Sequence, residues 1–385
     1  MSKMNMNVAI LVKPVSLEYD DRIRKEVDTL SKAYPNVTFK AFILLDDNSS
    51  TEGVTSYGLP YKSIHLKSRE TSYRGRFLAL KVFEYYFAIK NDLKKYDVVW
   101  VSGDDTSPLL LLLSKHRHKL VWDLRELPMY LLNSNTKQRI LKYFFKKCIL
   151  LPHANQYRID YLKSLGLIKD PSKHVAIQNF PEFENPEVVL DDSYNKVKDW
   201  VGSRTCVYLQ GLSNDSRASK ESLSAVMETP SICAIVLGGY DKSLQEYLGK
   251  KYGREEVQRR ICFAGSFNVL RIPQFMDLCK LSLVFYKNTQ ANNWFCEPNR
   301  LYQAINVGLP VIVGNNPSMR DIVEGYHVGV SVDTDGCDVE KIKSGIKQVL
   351  ENYDYYKNNV DTNKDIFLWN NQKDKIIDSF RIVFK

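Results

Sequence analysis

The 385-residue sequence has no CxxC pair, no GxGxxG fingerprint, no low-complexity tract and no apolar run approaching the length needed to cross a bilayer. Each absence excludes a class. The seven cysteines (Cys148, Cys206, Cys233, Cys262, Cys279, Cys296 and Cys337) stand singly and are odd in number, so they read as reduced thiols of a cytosolic protein rather than a disulfide framework or a zinc site. The first apolar run, 7–12 (NVAILV), follows Met1 almost directly and is succeeded by Lys13-Pro14-Val15-Ser16. No signal peptide is expected there, and a tightly cradled dinucleotide is disfavoured, which makes hydride transfer a poor reading. The run 109–113 is far too short to span a membrane. The six histidines form no ligand cluster beyond His116-x-His118. A cytoplasmic location is expected.

What is present is ordinary in amount and uneven in placement. The chain is 44% apolar and 26% charged with a net charge of +9, and its length exceeds what one hydrophobic core usually serves, so two domains are expected. Residues 1–180 hold 29 Lys and Arg against 18 Asp and Glu, a net of +11; the remainder holds 25 against 27, a net of −2. The two halves carry different electrostatic roles.

Short apolar runs alternate with helical periodicity throughout, the pattern of stacked βαβ units around parallel sheets. In the first half the expected strands are 7–12, 37–45, 98–101, 120–122 and 149–151, with helices over 21–34, 76–90 and 137–145. Over 180–199 (FPEFENPEVVLDDSYNKVKD) the periodicity fades and two prolines and several acids collect, which reads as a linker over 181–199. A second run follows: strands 206–210, 232–237, 261–264, 281–286 and 310–313, helices 220–227 and 299–307, and an amphipathic helix over 373–383. The fold class expected is α/β, with a Rossmann-like domain over 1–180, a second over 200–365, and a closing helical segment over 366–385. In such folds ligands bind at the carboxyl ends of the strands.

The segment 296–313 (CEPNRLYQAINVGLPVIV) places Glu297 and Asn299 to cap a helix, with Arg300 and Gln303 on its first turns. A helix N-terminus with a guanidinium beside it is a receptor for a diphosphate, and the alternative is a capped surface helix with a solvated arginine. The segment resembles the P-N-K-x-x-E-x-x-x-x-G-x-P-V signature of retaining glycosyltransferases of family 4, which have the GT-B fold of two Rossmann-like domains facing a cleft. Other segments are similar to the family's motifs in order: Asp21-Arg22, 102–110 (SGDDTSPLL), 121–127 (VWDLREL), 177–181 (IQNFP), 208–219 (YLQGLSNDSRAS), 263–267 (FAGSF) and 367–372 (FLWNNQ), the last leading a terminal helix back to the first domain.

That resemblance implies a basic pair, Arg217 and Arg300, neutralising the diphosphate of a UDP- or GDP-linked sugar, with Gly211 opening the loop before Arg217 and no metal or other cofactor needed. Gly265, Ser266 and Phe267 resemble the turn that meets the base. Gln303 stands where the family has a glutamate on the ribose hydroxyls, a weaker neutral partner. Glu297 is the nearest candidate for the donor sugar, although Phe295 occupies the register of the family's own glutamate. On the acceptor side stand Asp104, Asp105, Asp123 and Glu126, carboxylates that suit acceptor hydroxyls or an oxocarbenium-like sugar, against the alternatives of capping and ion pairing. Arg125 replaces a family histidine and cannot carry protons. The Asp104-Asp105 pair also invites a metal reading, which the resembling fold does not use.

The basic excess gathers in 62–95 and in 137–147 (KQRILKYFFKK), where cations flank Ile140, Leu141, Tyr143, Phe144 and Phe145. The expectation is an interfacial helix on the inner face of the plasma membrane, suited to a lipid-linked acceptor; the alternative is an aromatic stripe facing the core. No nucleic-acid motif accompanies the charge. The reaction expected is transfer of a sugar from its nucleotide to a hydroxyl of a glycan or lipid-linked acceptor, with retention and closure over the donor. A sugar-nucleotide epimerase lacks its carboxylate and histidine constellation here. A weakly catalytic partner subunit, motivated by Gln303 and Arg125, is the alternative.

Overall fold

Residues 5–12, 17–44, 50–69, 78–104, 106–115, 117–182 and 188–385 are described by the computed structural model. Lys13-Pro14-Val15-Ser16, Asp105, His116, the first residues of the helix expected over 76–90 and residues 183–187 of the expected linker lie outside them. The chain divides into two units, Met1–Asn179 with Gln372–Lys385, and Phe180–Asn371.

The first unit is built on strands β1 (Met6–Val12), β2 (Val37–Ile43), β3 (Glu52–Val54), β4 (Pro60–Ser63), β5 (Val98–Ser102) and β6 (Lys119–Asp123). They pair in the order β3-β4-β2-β1-β5-β6, all parallel except the edge strand β3. A short pair, β7 (Leu151–His153) and β8 (His174–Ala176), continues beside β6 through the bridges Val121–Leu150 and Leu124–His153. The apolar runs β1 and β5 are buried along nearly their whole length, as parallel strands covered on both faces must be. Between β1 and β2, helix Asp21–Ala33 starts where the Asp20 carboxylate accepts from Ile23 N at 3.1 Å, a cap of about 1 kcal/mol.

Helix Asn135–Lys147 turns Leu141, Phe144 and Phe145 into the core, with Phe144 packed edge-on to Trp122 at 5.9 Å. This corrects the expectation of an outward apolar stripe: truncating Phe144 there belongs with core losses of about 3–5 kcal/mol. The outer face keeps its cations. The closing helix, Asn370–Phe380, returns to this unit: Phe380 is buried against Trp100 at 5.0 Å and Tyr34 donates to the Ile377 carbonyl at 2.8 Å.

The second unit holds β9 (Thr205–Leu212), β10 (Ile232–Tyr240), β11 (Ile261–Gly265), β12 (Leu281–Val284), β13 (Val311–Val313) and β14 (Gly329–Ser331), all parallel, in the order β11-β10-β9-β12-β13-β14. Alternate residues feed opposite cores: Cys206 and Tyr208 one, Val207 and Leu209 the other. The chain runs outward from β9 in one direction and from β12 in the other, so the switch point lies between β9 and β12. Helix Asp192–Val201 occupies the second part of the segment read as a linker, capped by Asp191 accepting from Tyr194 N at 2.9 Å.

Candidate active site

Strand β9 ends at the switch point with Gln210 and Gly211, and the loop after it carries Arg217. Gly211 sits at φ +63°, and a Cβ there would collide with the Arg217 guanidinium, which donates to the Gly211 carbonyl. Glycine is favoured by the backbone angle, and a side chain there would displace the Arg217 guanidinium from the carbonyl. Ala218 follows at φ 50°, a left-handed position held by a residue with a side chain, and helix Ser219–Glu228 begins there.

Arg300 approaches the same point from helix Asn299–Val307. It is 6% exposed, donating to the Gln210 carbonyl at 2.6 Å and to the Phe285 carbonyl at 2.8 Å, so one guanidinium bridges the ends of β9 and β12. Both arginines lie against the Tyr286 ring, Arg300 at 4.9 Å and Arg217 at 5.8 Å. Neither forms an ion pair among the described residues, and the neighbouring Lys287 is neutralised by Asp215 and Glu221, each at 2.9 Å. Burial pulls the Arg300 charge below its ordinary range; Tyr286 opposes this and Arg217 adds to it.

Three polar atoms in this group are buried without a partner: Nε of Arg217, Nε of Arg300 and Oε1 of Gln303. Buried polar groups are normally satisfied, and two donors with one acceptor left open, beside two uncompensated cations, describe a binding face for an anion that also bears hydroxyls. The helix end adds to it. Pro298 is the N-cap and no side chain caps Asn299–Val307, which corrects the capping expected of Glu297 and Asn299. Glu297 instead accepts from the Tyr302 hydroxyl, and Asn299 is exposed. The first N–H groups of this helix are left with the positive end of its dipole.

Gly265 ends β11 at φ +87°, Ser266 after it is exposed, and Phe267 packs on Phe275 at 4.4 Å with Arg271 over its ring at 5.3 Å. Gly211, Gly265, Arg217, Arg300 and Gln303 thus come from the carboxyl ends of parallel strands or from segments that follow them in the same unit.

The first unit presents a different chemistry at the end of β6. Asp123 is fully buried; its oxygens accept from Arg22 at 2.9 and 3.2 Å and from Arg125 at 3.2 Å. Arg125 also reaches Asp20 at 2.8 Å, and Arg22 contacts Glu26 at 3.1 Å and the Ile177 carbonyl at 2.8 Å. Burial pushes the Glu26 carboxyl up to about 8, against the pull of Arg22. Asp123 and Arg125 are therefore engaged with each other and with the start of helix Asp21–Ala33, a positioning network rather than groups free to meet a hydroxyl. Glu126 is exposed. Asp104 is half-buried, and its carbonyl accepts from Ser107. No group of three or more His, Cys, Asp or Glu placed to hold a metal ion occurs among the described residues.

No family model and no curated protein matches the sequence. Solved structures do match in fold. Sucrose-phosphate synthase from Thermosynechococcus elongatus superposes with a TM-score of 0.76 at 14% identity, over 98% of this chain and 99% of that one. HepE from Anabaena, solved in complex with UDP-glucose, gives 0.69 at 15% over 97% and 99%. WaaG, a glycosyltransferase involved in lipopolysaccharide biosynthesis, gives 0.65 at 15% over 96% and 99%.

The fold is GT-B. Within a GT-B chain, sequence reasoning singled out both arginines, Gly211 and Gly265 at the strand ends and Gln303, but missed Tyr286, the ring both guanidiniums share, and Asn316, fully buried and donating to the Tyr286 carbonyl at 3.0 Å. Tyr286 closes the strand expected over 281–286, whereas β12 ends at Val284 and leaves the ring beyond it; Asn316 has no signal beyond following β13.

Proposed function

We propose that this GT-B chain is a glycosyltransferase that moves a sugar, of hexose type, from a UDP- or GDP-linked donor to a hydroxyl of a glycan or lipid-linked acceptor. The observation that carries the reading is the pair Arg217 and Arg300: two guanidiniums fixed by the carbonyls of Gln210, Gly211 and Phe285, without carboxylate partners among the described residues, beside an uncapped helix N-terminus at a sheet switch point. A departing nucleoside diphosphate gains negative charge as the glycosidic bond breaks. Cations held in place beforehand stabilise that charge without reorganising, which gives metal-independent transfer its physical basis. Gln303, with its open Oε1, is suited to a ribose hydroxyl, the Gly265-Ser266-Phe267 turn to the base, and Glu297 to the donor sugar. HepE is solved with UDP-glucose, which supports a nucleotide sugar as donor. Retention of configuration rests on the family resemblance, as does the acceptor role of the first unit, with Asp104 and Glu126 its candidate carboxylates.

Surface-glycan assembly at the inner face of the plasma membrane is part of the proposal. No described helix is long and apolar enough to cross a membrane. Peripheral contact through the basic first unit is supported by helix Leu78–Leu93, where Phe83 and Phe87 are exposed one turn apart and Lys90 lies over the Phe87 ring at 4.5 Å, a lipid-facing arrangement.

The alternative, a weakly catalytic partner that binds nucleotide or a companion transferase, draws on one observation. Arg125, at the position of the family histidine, is locked between Asp20 and Asp123. The test is release of UDP or GDP from a panel of donor sugars by wild type and Arg217→Ala. The transferase reading expects release that falls about 100-fold or more in the variant. Nucleotide binding with no release from any donor, whether or not a glycan acceptor is added, would establish the alternative.

A further inference from the structure

On the first unit, at the opposite end of the strands from Asp123, a recess of about 510 Å³ is lined by Arg139, Lys142 and Lys146 of helix Asn135–Lys147 and by Lys169, Lys173 and His174 across from them. The location follows from the chain: Lys146 lies just before β7 and His174 begins β8, so the recess sits at the amino ends of strands whose carboxyl ends carry the Asp123 network. The three helix cations are spaced three and four residues apart and therefore share one face.

Like charges gathered on one face repel unless something compensates them. Arg139, Lys142, Lys146 and Lys169 form no ion pair among the described residues. Lys173 is anchored by the carbonyls of Lys146 and Cys148, at 3.2 and 3.0 Å. The single carboxylate, Asp170, is engaged by Ser172 through N at 3.2 Å and Oγ at 2.6 Å. Tyr143, Phe145 and Leu167 complete the wall. The volume is that of a small-molecule site. At the base, His174 meets His153 at 2.8 Å, and burial holds the His174 imidazole down at about 4, so the pair adds hydrogen-bonding capacity without adding charge at neutral pH.

From this geometry we infer that the first unit carries a second anion site, separate from the arginine pair of the other unit, that binds a compound bearing two or more phosphate groups or a phosphate-headed lipid through Arg139, Lys142, Lys146, Lys169 and Lys173. Phosphate is the favoured chemistry because several point cations around a concavity match a multiply charged anion better than one carboxylate. The site is independent of the donor-site reading.

Calorimetric titration tests it, with inorganic pyrophosphate as one probe and dihexanoyl phosphatidylglycerol below its micelle concentration as the other. The proteins are wild type, Arg300→Ala, Lys142→Ala/Lys146→Ala and, on the facing loop, Lys169→Ala. The lysines are partly or fully exposed, and unchanged thermal unfolding checks that their removal leaves the fold intact. Expected is a binding component that survives in Arg300→Ala and weakens by at least about tenfold in both lysine variants. Pyrophosphate as the responsive probe identifies a soluble phosphate ligand, and the phospholipid identifies a headgroup. If no component with either probe depends on the lysines, the site does not exist.

Discussion

Arg300 shows how a single residue is made into a receptor. Its two terminal nitrogens are fixed by the carbonyls of Gln210 and Phe285, Tyr286 supports its face, and Nε remains open. The side chain is thereby held before any ligand arrives, which removes the ordering cost that a free arginine would bear on binding. Gln303, 7% exposed, stands beside Arg300 on the same helix. Its buried acceptor is open, and a carboxylate there would make charge-assisted bonds to ribose hydroxyls, about twice as strong as neutral ones. Gln303→Glu should therefore raise nucleotide affinity by about tenfold, read by calorimetry; a fall in affinity with the fold intact would show that Gln303 does not face the ribose.

At the level of elements, the start of helix Asp21–Ala33 and the end of β6 are joined by Arg22, Arg125, Asp20, Asp123 and Glu26. Removing one partner of a buried pair leaves the other charge uncompensated, at a cost of about 3–5 kcal/mol. Arg22→Ala, which takes two of its three hydrogen bonds from the fully buried Asp123, leaving it Arg125 alone, and removes the arginine from Glu26, should lose that much in urea unfolding; a loss under about 1 kcal/mol would reduce the network to a surface ion pair. The β7–β8 pair gives a pH signature. Burial, with charge from neighbouring cations, depresses the imidazoles of His153 and His174, the latter to about 4, while the unfolded chain takes up protons near the ordinary value of about 6.5. Their contribution to stability is complete above about pH 6.5 and is lost as pH falls toward 4, by up to about 1.4 kcal/mol per pH unit for each imidazole. His174→Asn should flatten stability against pH over that window relative to wild type, and parallel curves would contradict the assignment. Much at this scale was legible in the sequence. Helix Asn299–Val307 has the expected bounds, and β1, β5, β9 and β11 lie within two residues of theirs, because buried parallel strands are short apolar runs. The edge strand β3 and its neighbour β4 were not legible, since Glu52–Val54 and Pro60–Ser63 are half-exposed and mixed in polarity. Nor was the direction of helix Asn135–Lys147: its periodicity fixes an apolar stripe but not whether protein or lipid covers it.

Taken whole, the chain allots its charge by unit. The first 180 residues carry a net charge of +11 against +9 for the whole chain, and there the cations gather round a recess and along helices. In the second unit, close to neutral, two arginines are left uncompensated at one sheet switch point. The first unit is completed by the last residues of the chain, whose helix seats Phe380 on Trp100 and Phe384 on Tyr34 at 4.9 Å, so this GT-B chain closes one unit only after building the other. The site residues that could be read from sequence were those fixed by strand ends and a helix start. The shared aromatic support of Tyr286 emerged only from folding, because the ring's partners come from segments 69 and 14 residues away. The central claim is that the arginine pair receives a diphosphate. Its most direct test is calorimetric titration of UDP and GDP, without added metal, into wild type and Arg300→Ala: the account predicts micromolar binding of one nucleotide, weakened by at least about 100-fold in the variant, and absence of binding of either nucleotide to wild type would contradict it.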